Sequence, residues 1–241
     1  MSSAESRVRV SGLTCAYRGE TVLNGVDFEA GPGTVFALFG YSGSGKTTLI
    51  SVLAGLLPYR WGKVQTCDRR EIGLVTQFPS LFPRLTACEN LQAIGMMKGI
   101  PASDLARLVP LLVEELGLGA LENRRVTHLP QGAKQRVSLA CALINEPKLL
   151  LLDDILARTD PDSAQVIIEA LLRRVDEGST CIWATDRLEE IRTLARACSL
   201  RIGYLREGSL TVYQPQEFFE LFARSGEREA APSQEQEGGR V

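Results

Sequence analysis

One glycine-rich stretch restricts the fold of this chain more than any other part of its sequence. Residues 40–47 read Gly-Tyr-Ser-Gly-Ser-Gly-Lys-Thr, fit the pattern G-x-x-x-x-G-K-[ST], and lie between two apolar segments, residues 34–39 and 47–57. Glycines allow a tight turn whose consecutive backbone N–H groups point towards one anion. A helix that begins near Lys46 would direct the positive end of its dipole at the same anion. We therefore predict a buried strand, a phosphate-binding loop and a helix, in that order.

The loop pattern also assigns candidate nucleotide-binding residues. Lys46 would reach the β- and γ-phosphates of ATP, and Thr47 would offer its hydroxyl to Mg²⁺. ATP and Mg²⁺ are therefore the predicted ligands. The predicted nucleotide-binding residues of the loop and the first helical turn are Gly40, Tyr41, Ser42, Gly43, Ser44, Gly45, Lys46, Thr47 and Thr48.

Strand-like and helix-like segments alternate along the chain and predict an α/β fold. The predicted strands are residues 8–13, 21–30, 34–39, 72–76, 149–152, 180–185 and 200–205. The predicted helices are residues 47–57, 87–97, 104–116, 134–144, 162–177 and 188–197. Alternation at this spacing is typical of a mostly parallel sheet with helices on its faces. Residues 83–145 carry no strand pattern, so we expect them to form a helical lobe inserted into that sheet.

Composition limits the partners and surroundings of the chain. A net charge of -2 over 241 residues provides no basic surface, so no nucleic-acid partner is expected. The apolar runs are too short to cross a bilayer and no signal-peptide pattern is present, so we expect a cytoplasmic chain that reaches the membrane through a partner. Residues 1–6 are expected to be flexible, and the polar tail 225–241 is expected to be disordered. The six cysteines, none at CxxC spacing, are expected to be free and mostly buried thiols.

Two carboxylates follow a run of leucines further along the chain. Residues 148–154 read Lys-Leu-Leu-Leu-Leu-Asp-Asp, and the simplest alternative is a core strand with a polar end. The carboxyl end of a strand beside a phosphate loop is also where Mg²⁺ is held, and a carboxylate suits that role. We therefore predict that Asp153 is a metal ligand.

With both motifs in place, residues 8–222 resemble the ATP-binding subunits of ABC transporters. The resemblance implies a P-loop NTPase fold with a shortened antiparallel β subdomain, spanning residues 7–224, and a helical lobe over about residues 83–145. It implies that Tyr17 stacks on adenine, and that Gln77, in LVTQFPSLFPRL, meets Mg²⁺ and the attacking water. The segment after it, residues 78–86, would pack on a transmembrane partner. The run KQRVSLACALINEPKLLLLDD is similar to the ATPases of drug and ABC-2-type exporters.

The family's signature, LSGGQ, is altered in this chain. The corresponding residues are Leu129, Pro130, Gln131, Gly132 and Ala133. Pro130 replaces the serine and has neither a side-chain donor nor a backbone N–H, although proline also suits the start of a helix. Gly132 remains, so some backbone donation to a partner's γ-phosphate is expected to survive.

Two further departures concern hydrolysis. Asp154 stands where the resemblance implies a glutamate that acts as general base. Its side chain is one methylene shorter, and a displacement of about 1 Å can cost on the order of a hundredfold in rate. Asp186 stands at the position where the resemblance implies a switch histidine. An ionised aspartate cannot donate a hydrogen bond to the γ-phosphate. The alternative, which we favour from the sequence, is that Asp186 turns outward or N-caps the following helix. The predicted catalytic residues are Asp154, Gln77 and Lys46, and the predicted metal ligands are Thr47, Gln77 and Asp153.

The resemblance also implies partners and a function. Two ATP-binding subunits would sandwich two nucleotides, each phosphate loop facing the other chain's signature, and a transmembrane permease would complete the transporter. Whether the pair is a homodimer or a heterodimer is left open. We predict an energy-coupling subunit that binds MgATP tightly and turns it over slowly. The resemblance implies that the transporter works in export. The alternatives are a regulatory subunit with little or no hydrolysis beside an active ATPase, and a relative that acts in translation or DNA maintenance.

Overall fold

Two β-sheets organise the computed structural model, which describes residues 7–17 and 19–225. The strands are β1 (Val8–Tyr17), β2 (Glu20–Ala30), β3 (Val35–Phe39), β4 (Trp61–Gln65), β5 (Ile72–Val75), β6 (Leu149–Asp153), β7 (Thr180–Thr185), β8 (Leu200–Arg206) and β9 (Ser209–Tyr213). The helices are α1 (Lys46–Leu53), α2 (Ala87–Met97), α3 (Ala102–Glu115), α4 (Gln131–Leu143), α5 (Pro161–Asp176), α6 (Leu188–Ala197) and α7 (Pro215–Ser225). The predicted flexible N-terminus, 1–6, and residues 226–241 of the predicted tail lie outside the described residues. Ser225, which the predicted tail included, is instead the last residue of α7.

The larger sheet is mostly parallel, as the alternating sequence predicts. Its strand order is β5-β6-β7-β3-β8-β9, and only the β8–β9 pair is antiparallel. Every residue of β3, β6 and β7 is buried, which accounts for their unbroken apolar runs. Because these three strands are parallel neighbours, their carboxyl ends meet at one edge of the sheet and bring their following loops together.

Alternate side chains of the central strand β3 pack into two separate hydrophobic cores, one on each face of the sheet. Phe36 and Leu38 pack with apolar residues of α1, β1 and β2. Ala37 and Phe39 pack on the opposite face with residues of α4, α5 and α6 and of the helices before and after them. This alternation follows from the two-residue period of a strand and leaves helices on both faces of the sheet.

The smaller sheet is antiparallel, with the strand order β2-β1-β4. It joins the first core through Phe28, whose ring stacks on that of Phe36 with centroids 4.5 Å apart. The helices α2, α3 and α4 are inserted between β5 and β6, so the structure has the expected helical lobe. The first of them begins with a capping box, in which Thr86 accepts from the backbone N–H of Glu89 and the Glu89 side chain accepts from that of Thr86.

The structure also contains elements that the sequence patterns do not predict. These are the edge strand β4, most of which is exposed, the antiparallel strand β9 and the helix α7. Strand β1 runs on to Tyr17, beyond its predicted end, and α1 ends at Leu53 instead of residue 57. The prediction of free thiols is confirmed for all six cysteines, of which Cys15, Cys141 and Cys181 are buried.

Candidate functional site

The glycine-rich loop connects β3, at the centre of the sheet, to the N-terminus of α1. Gly43 and Gly45 have φ angles of 82° and 106°, in the left-handed region that favours glycine. A Cβ at Gly40 would lie 2.6 Å from the carbonyl oxygen of Leu205, so the loop passes too close to β8 for a larger residue. Gly45 is the N-cap of α1 and makes no side-chain cap, which leaves the first N–H groups of the helix for a ligand.

Lys46 is a buried cation held across this loop. Its side chain is only 5% exposed, and its Nζ donates to the carbonyl oxygens of Gly40 at 2.6 Å and Tyr41 at 3.4 Å. Its ammonium group therefore lies over the loop, where the pattern of the sequence predicts a contact with phosphate oxygens.

Asp153 ends β6, two strands from β3 in the sheet, and lies beside the first turn of α1. The side chain is 6% exposed and accepts a hydrogen bond from the Thr47 side chain, while its Oδ1 has no hydrogen-bond partner among the described residues. Burial raises the pKa of Asp153 from its ordinary value, against the Thr47 hydrogen bond and the Lys46 charge, which lower it. A buried carboxylate oxygen without a partner beside a hydroxyl is a donor set that suits a hard cation.

Asp154, the next residue, has an unusual backbone conformation. Its φ of 49° lies in the left-handed region, and its N–H donates to the carbonyl oxygen of Ala184 at 3.0 Å. The side chain is half-buried, and burial raises its pKa to about 6, with smaller contributions from the neighbouring charges of Asp186 and Asp153; Lys46 lowers it. A carboxylate with that pKa remains mostly ionised near neutral pH and can accept a proton.

Gln77 follows β5 in a loop that is hydrogen-bonded to the helical lobe. Gln135 of α4, whose side chain is 1% exposed, donates its Nε2 to the carbonyl oxygen of Thr76 at 3.0 Å. The Thr76 hydroxyl in turn donates to the carbonyl oxygen of Phe78 at 2.7 Å. These two contacts fix the backbone on both sides of Gln77.

These residues line one cavity of about 310 Å³. The lining residues are Val22, Ser42, Gly43, Ser44, Gly45, Lys46, Thr47, Thr48, Gln77, Asp154 and Asp186. The structure thus brings together most of the predicted loop residues with Gln77, Asp154 and Asp186, and Asp153 contacts the lining residue Thr47. Tyr17 is the last residue of β1, and its side chain lies outside what the structure describes.

Asp186 is exposed and lines the cavity at the end of β7. The alternative that it N-caps the next helix is wrong, because the N-cap of α6 is Arg187 and no side chain caps this helix. The strand carries position 186 to the same edge of the sheet as Asp154, so an aspartate there faces the cavity without a capping role.

The signature residues lie elsewhere, at the start of α4. Pro130 is the N-cap of this helix, and its carbonyl oxygen accepts from the N–H of Lys134 at 3.0 Å. Gly132 is buried, and a Cβ there would lie 2.0 Å from Oδ2 of Asp160 and 2.5 Å from Oγ of Ser163. Leu129, Pro130, Gln131, Gly132 and Ala133 are all absent from the lining of the cavity. Within one chain, the signature therefore does not border the cavity of the phosphate loop.

Two contributors to the site are not among the predicted site residues. Val22 reaches the cavity because β2 passes the glycine-rich loop, and a Cβ at Gly45 would lie 3.2 Å from its Cγ1. Gln135 reaches Thr76 across 59 residues of sequence. A lone valine in a strand carries no local pattern, and the run that begins KQR, which includes Gln135, indicates the family resemblance but not the contact with Thr76.

Comparison with known proteins identifies the family. The sequence profile of the family described as ABC transporter matches residues 23–157. This chain belongs to the ABC transporter family. The ATP-binding domains of ABC transporters are ATPases, and this chain is such a domain, the ATP-binding subunit of an ABC transporter.

The relatives of this ABC protein include several transport ATPases. It is 32% identical over 210 residues to the Nod factor export ATP-binding protein I of Paraburkholderia xenovorans, covering 83% of this chain and 69% of the relative. It is 32% identical over 210 residues to the lantibiotic transport ATP-binding protein SrtF of Streptococcus pyogenes, covering 84% and 88%. The linearmycin resistance ATP-binding protein LnrL of Bacillus subtilis is 31% identical over 213 residues, covering 84% and 67%.

Solved structures agree with this assignment. The dimeric ATP-binding cassette MJ0796, in a post-hydrolysis state with ADP and phosphate, superposes with a TM-score of 0.75 and 26% identity, covering 86% of this chain and 98% of that one. The cbiO1 subunit of an ABC transporter from Clostridium perfringens gives a TM-score of 0.76 and 25% identity, covering 93% and 96%. Among residues 7–17 and 19–225, none of the helices has the length and apolar character needed to span a membrane.

Proposed function

We propose that this ABC ATPase binds MgATP tightly, hydrolyses it slowly, and couples the cycle to an export permease in the membrane. The observation that carries the proposal is the pairing of a complete phosphate loop with altered residues at the positions of the base and the switch. Lys46 and the N-terminus of α1 line one cavity together with Asp154 and Asp186.

The residues present fit a magnesium ion. Asp153 and Thr47 supply oxygen ligands, and Oδ1 of Asp153 is buried without a partner among the described residues. Gln77 lines the same cavity and would supply an amide oxygen. When bound, Mg²⁺ would neutralise charge on the phosphates during transfer.

Hydrolysis follows from the other residues of the cavity. Water attacks the γ-phosphorus, its oxygen forms a bond to phosphorus, and the bond to the oxygen bridging the β- and γ-phosphates breaks. Asp154 would accept the proton of the water, and Lys46 with the loop N–H groups would stabilise the phosphate oxygens. The short Asp154 side chain and the negative charge of Asp186 both oppose this step, which supports slow turnover.

A second ATP-binding subunit would complete the site. The signature residues do not line the cavity, and Pro130 and Gln131 reach the surface at the start of α4, where they would meet the phosphate loop of another chain. The dimeric structure of the similar cassette MJ0796 supports this arrangement. In a homodimer both sites would contain Asp154, Asp186 and Pro130. In a heterodimer with a partner that has the usual family residues, the site on this chain's loop would keep Asp154 and Asp186, and the site on the partner's loop would face Pro130.

The surface beside the glutamine loop supports docking to a permease on the cytoplasmic side of the membrane. Phe78 and Phe82 are 59% and 41% exposed. Their loop is nevertheless ordered by Asn90, which accepts from the N–H of Phe82 and donates to the Phe82 carbonyl oxygen. The guanidinium of Arg158 lies 4.9 Å from the Phe78 ring centroid. Exposed aromatic side chains on a fixed loop are typical of a protein interface.

The names of the relatives support export. They are described as Nod factor export, lantibiotic transport and linearmycin resistance proteins, which favours an energy-coupling subunit over the regulatory alternative. The permease would select the substrate, since an ATP-binding domain recognises the nucleotide.

Calorimetry and a turnover assay on the purified chain test the proposal. We expect heat of binding with MgATP, less with ATP in EDTA, and hydrolysis slower than about 1 per second. Turnover at or above that rate would refute the slow cycle. Absence of binding by folded protein at millimolar MgATP would refute the site itself.

A further inference from the structure

Arg187 connects the end of β7 to the turn that follows Asp154. Its Nη2 donates to the carbonyl oxygen of Ala157 at 2.6 Å, and its Nη1 donates to that of Leu156 at 3.3 Å. A planar guanidinium can serve two carbonyl oxygens in this way, whereas a lysine ammonium is a single point charge. We propose that Arg187 is a positioning residue that holds residues 154–157 against β7 and thereby fixes the Asp154 carboxylate at the cavity. The inference rests on the proposed role of Asp154 as the base.

Backbone hydrogen bonds and the burial of Ile155 and Leu156 in the core hold this turn. The N–H of Asp154 donates to the carbonyl oxygen of Ala184, and the N–H of Ala157 donates to that of Asp154 at 3.2 Å. Asp154 also occupies the left-handed region, a conformation that persists only when its surroundings hold it. Burial fixes the side chains of Ile155 and Leu156, whereas the guanidinium bonds hold the carbonyl groups of Leu156 and Ala157 to the start of α6.

Arg187 is in turn oriented by a nearly buried carboxylate. Oε1 of Glu190 lies 3.9 Å from Nε of Arg187, and the Glu190 side chain is only 10% exposed. Trp183 donates its Nε1 to Oε2 of Glu190 at 3.1 Å, and the Thr185 side chain is also hydrogen-bonded to this carboxylate. A chain of contacts thus runs from β7 through Glu190 and Arg187 to the backbone beside Asp154, so the guanidinium is not a freely moving surface group.

Two variants of the full chain and a matched control test the positioning role. Arg187→Ala removes both hydrogen bonds, and Arg187→Lys keeps the charge without the planar guanidinium. The control, Arg192→Ala, removes an arginine within α6 that is ion-paired to Glu189. We expect kcat to fall about tenfold in Arg187→Ala and by a smaller factor in Arg187→Lys, with KM for ATP within about twofold of the parent. Arg192→Ala should keep the parent values. Unchanged kcat in Arg187→Ala would overturn the inference.

Hydrogen–deuterium exchange supplies a readout that does not depend on turnover. Loss of the two Arg187 hydrogen bonds, which together form a clamp on the turn, should speed exchange at the amides of residues 155–159 about tenfold in Arg187→Ala. The amides of β6 should exchange at an unchanged rate. Arg192→Ala should not change this segment. Equal exchange in the parent and Arg187→Ala would overturn the inference even if catalysis were too slow to measure.

A double mutant separates this inference from the proposed function. If Arg187 acts through Asp154, adding Arg187→Ala to Asp154→Ala should lower kcat no further. A full additional loss in the double mutant would overturn the positioning role. If Asp154→Ala alone leaves turnover unchanged, the proposed base is wrong, and accelerated exchange in Arg187→Ala would then show a clamp without a catalytic consequence.

Discussion

The phosphate loop and the two aspartates that line the same cavity, Asp154 and Asp186, offer different kinds of chemical group. The loop contributes backbone N–H groups, a helix N-terminus and Lys46, and it retains the full sequence pattern. Asp154 and Asp186 each contribute a single carboxylate, and both differ from the residues that the family resemblance implies. Under the roles proposed above, phosphate binding is supplied largely by the fold and hydrolysis by individual side chains, so the two can vary separately.

The largest effect should come from the loop. Lys46→Ala removes the buried cation, and we expect ATP affinity to fall by about a hundredfold because charge-assisted contacts to phosphate are lost. Isothermal titration with MgATP measures the change, and Lys63→Ala, at an exposed position of β4, is the control. Equal affinities in the two variants would break the assignment of binding to the loop.

The next effect concerns the two aspartates and the signature. The triple variant Pro130→Ser, Asp154→Glu and Asp186→His should raise turnover by up to about a hundredfold, since each change restores a group that acts in hydrolysis. ATP affinity should stay within about threefold of the parent. If steady-state turnover does not rise, another defect limits the cycle, and the contrast between the loop and the two aspartates does not explain its rate.

Gly132 should be needed for folding more than for phosphate binding by its own chain. The Cβ of Gly132→Ala would meet Asp160 and Ser163 at the start of α5, and we expect a loss of about 1–3 kcal/mol in the free energy of unfolding. Urea denaturation measures this loss, while MgATP affinity should be unchanged. Gly119→Ala, where a Cβ would meet nothing within 4 Å, should change stability by less than about 0.5 kcal/mol.

The smallest effect is a dependence of stability on pH at Asp154. Its folded pKa is about 6, raised chiefly by burial from the ordinary 3.8, so its contribution to stability is present below pH 3.8 and is lost as pH rises through 6. Asp154→Asn should therefore stabilise the nucleotide-free protein at pH 7.5 by about 1 kcal/mol, a value discounted for partial exposure, and should match the parent near pH 4. Thermal unfolding at both pH values, with Glu114→Gln as an exposed control, checks the sign. A gain at pH 4 alone would contradict it.

The sequence predicts the parts of the site that are contiguous in the chain. The glycine-rich loop and the strand that ends at Asp153 combine a motif with a strong apolar pattern, and both lie where the pattern places them. The edge strand β4 was missed because it is mostly exposed and shows little apolar alternation. Contacts across the chain, such as those of Gln135 with Thr76 and Arg187 with Ala157, could not be predicted because they depend on the packing of separate elements. The N-cap alternative for Asp186 was wrong, although an aspartate just before a helix is typical of an N-cap, because Arg187 takes that position.

The hydrogen bond from Gln135 has a mechanical consequence for the whole domain. The Gln135 amide is buried, so separating it from the Thr76 carbonyl would leave it unsatisfied at a cost of about 1–3 kcal/mol. A small shear of α4 against the sheet would therefore carry the backbone of Gln77 with it. The arrangement in which the two segments slide independently would be occupied by roughly one molecule in six to one in 160. A push on the helical lobe would in this way reach the edge of the nucleotide cavity without any contact between the pushing group and the nucleotide.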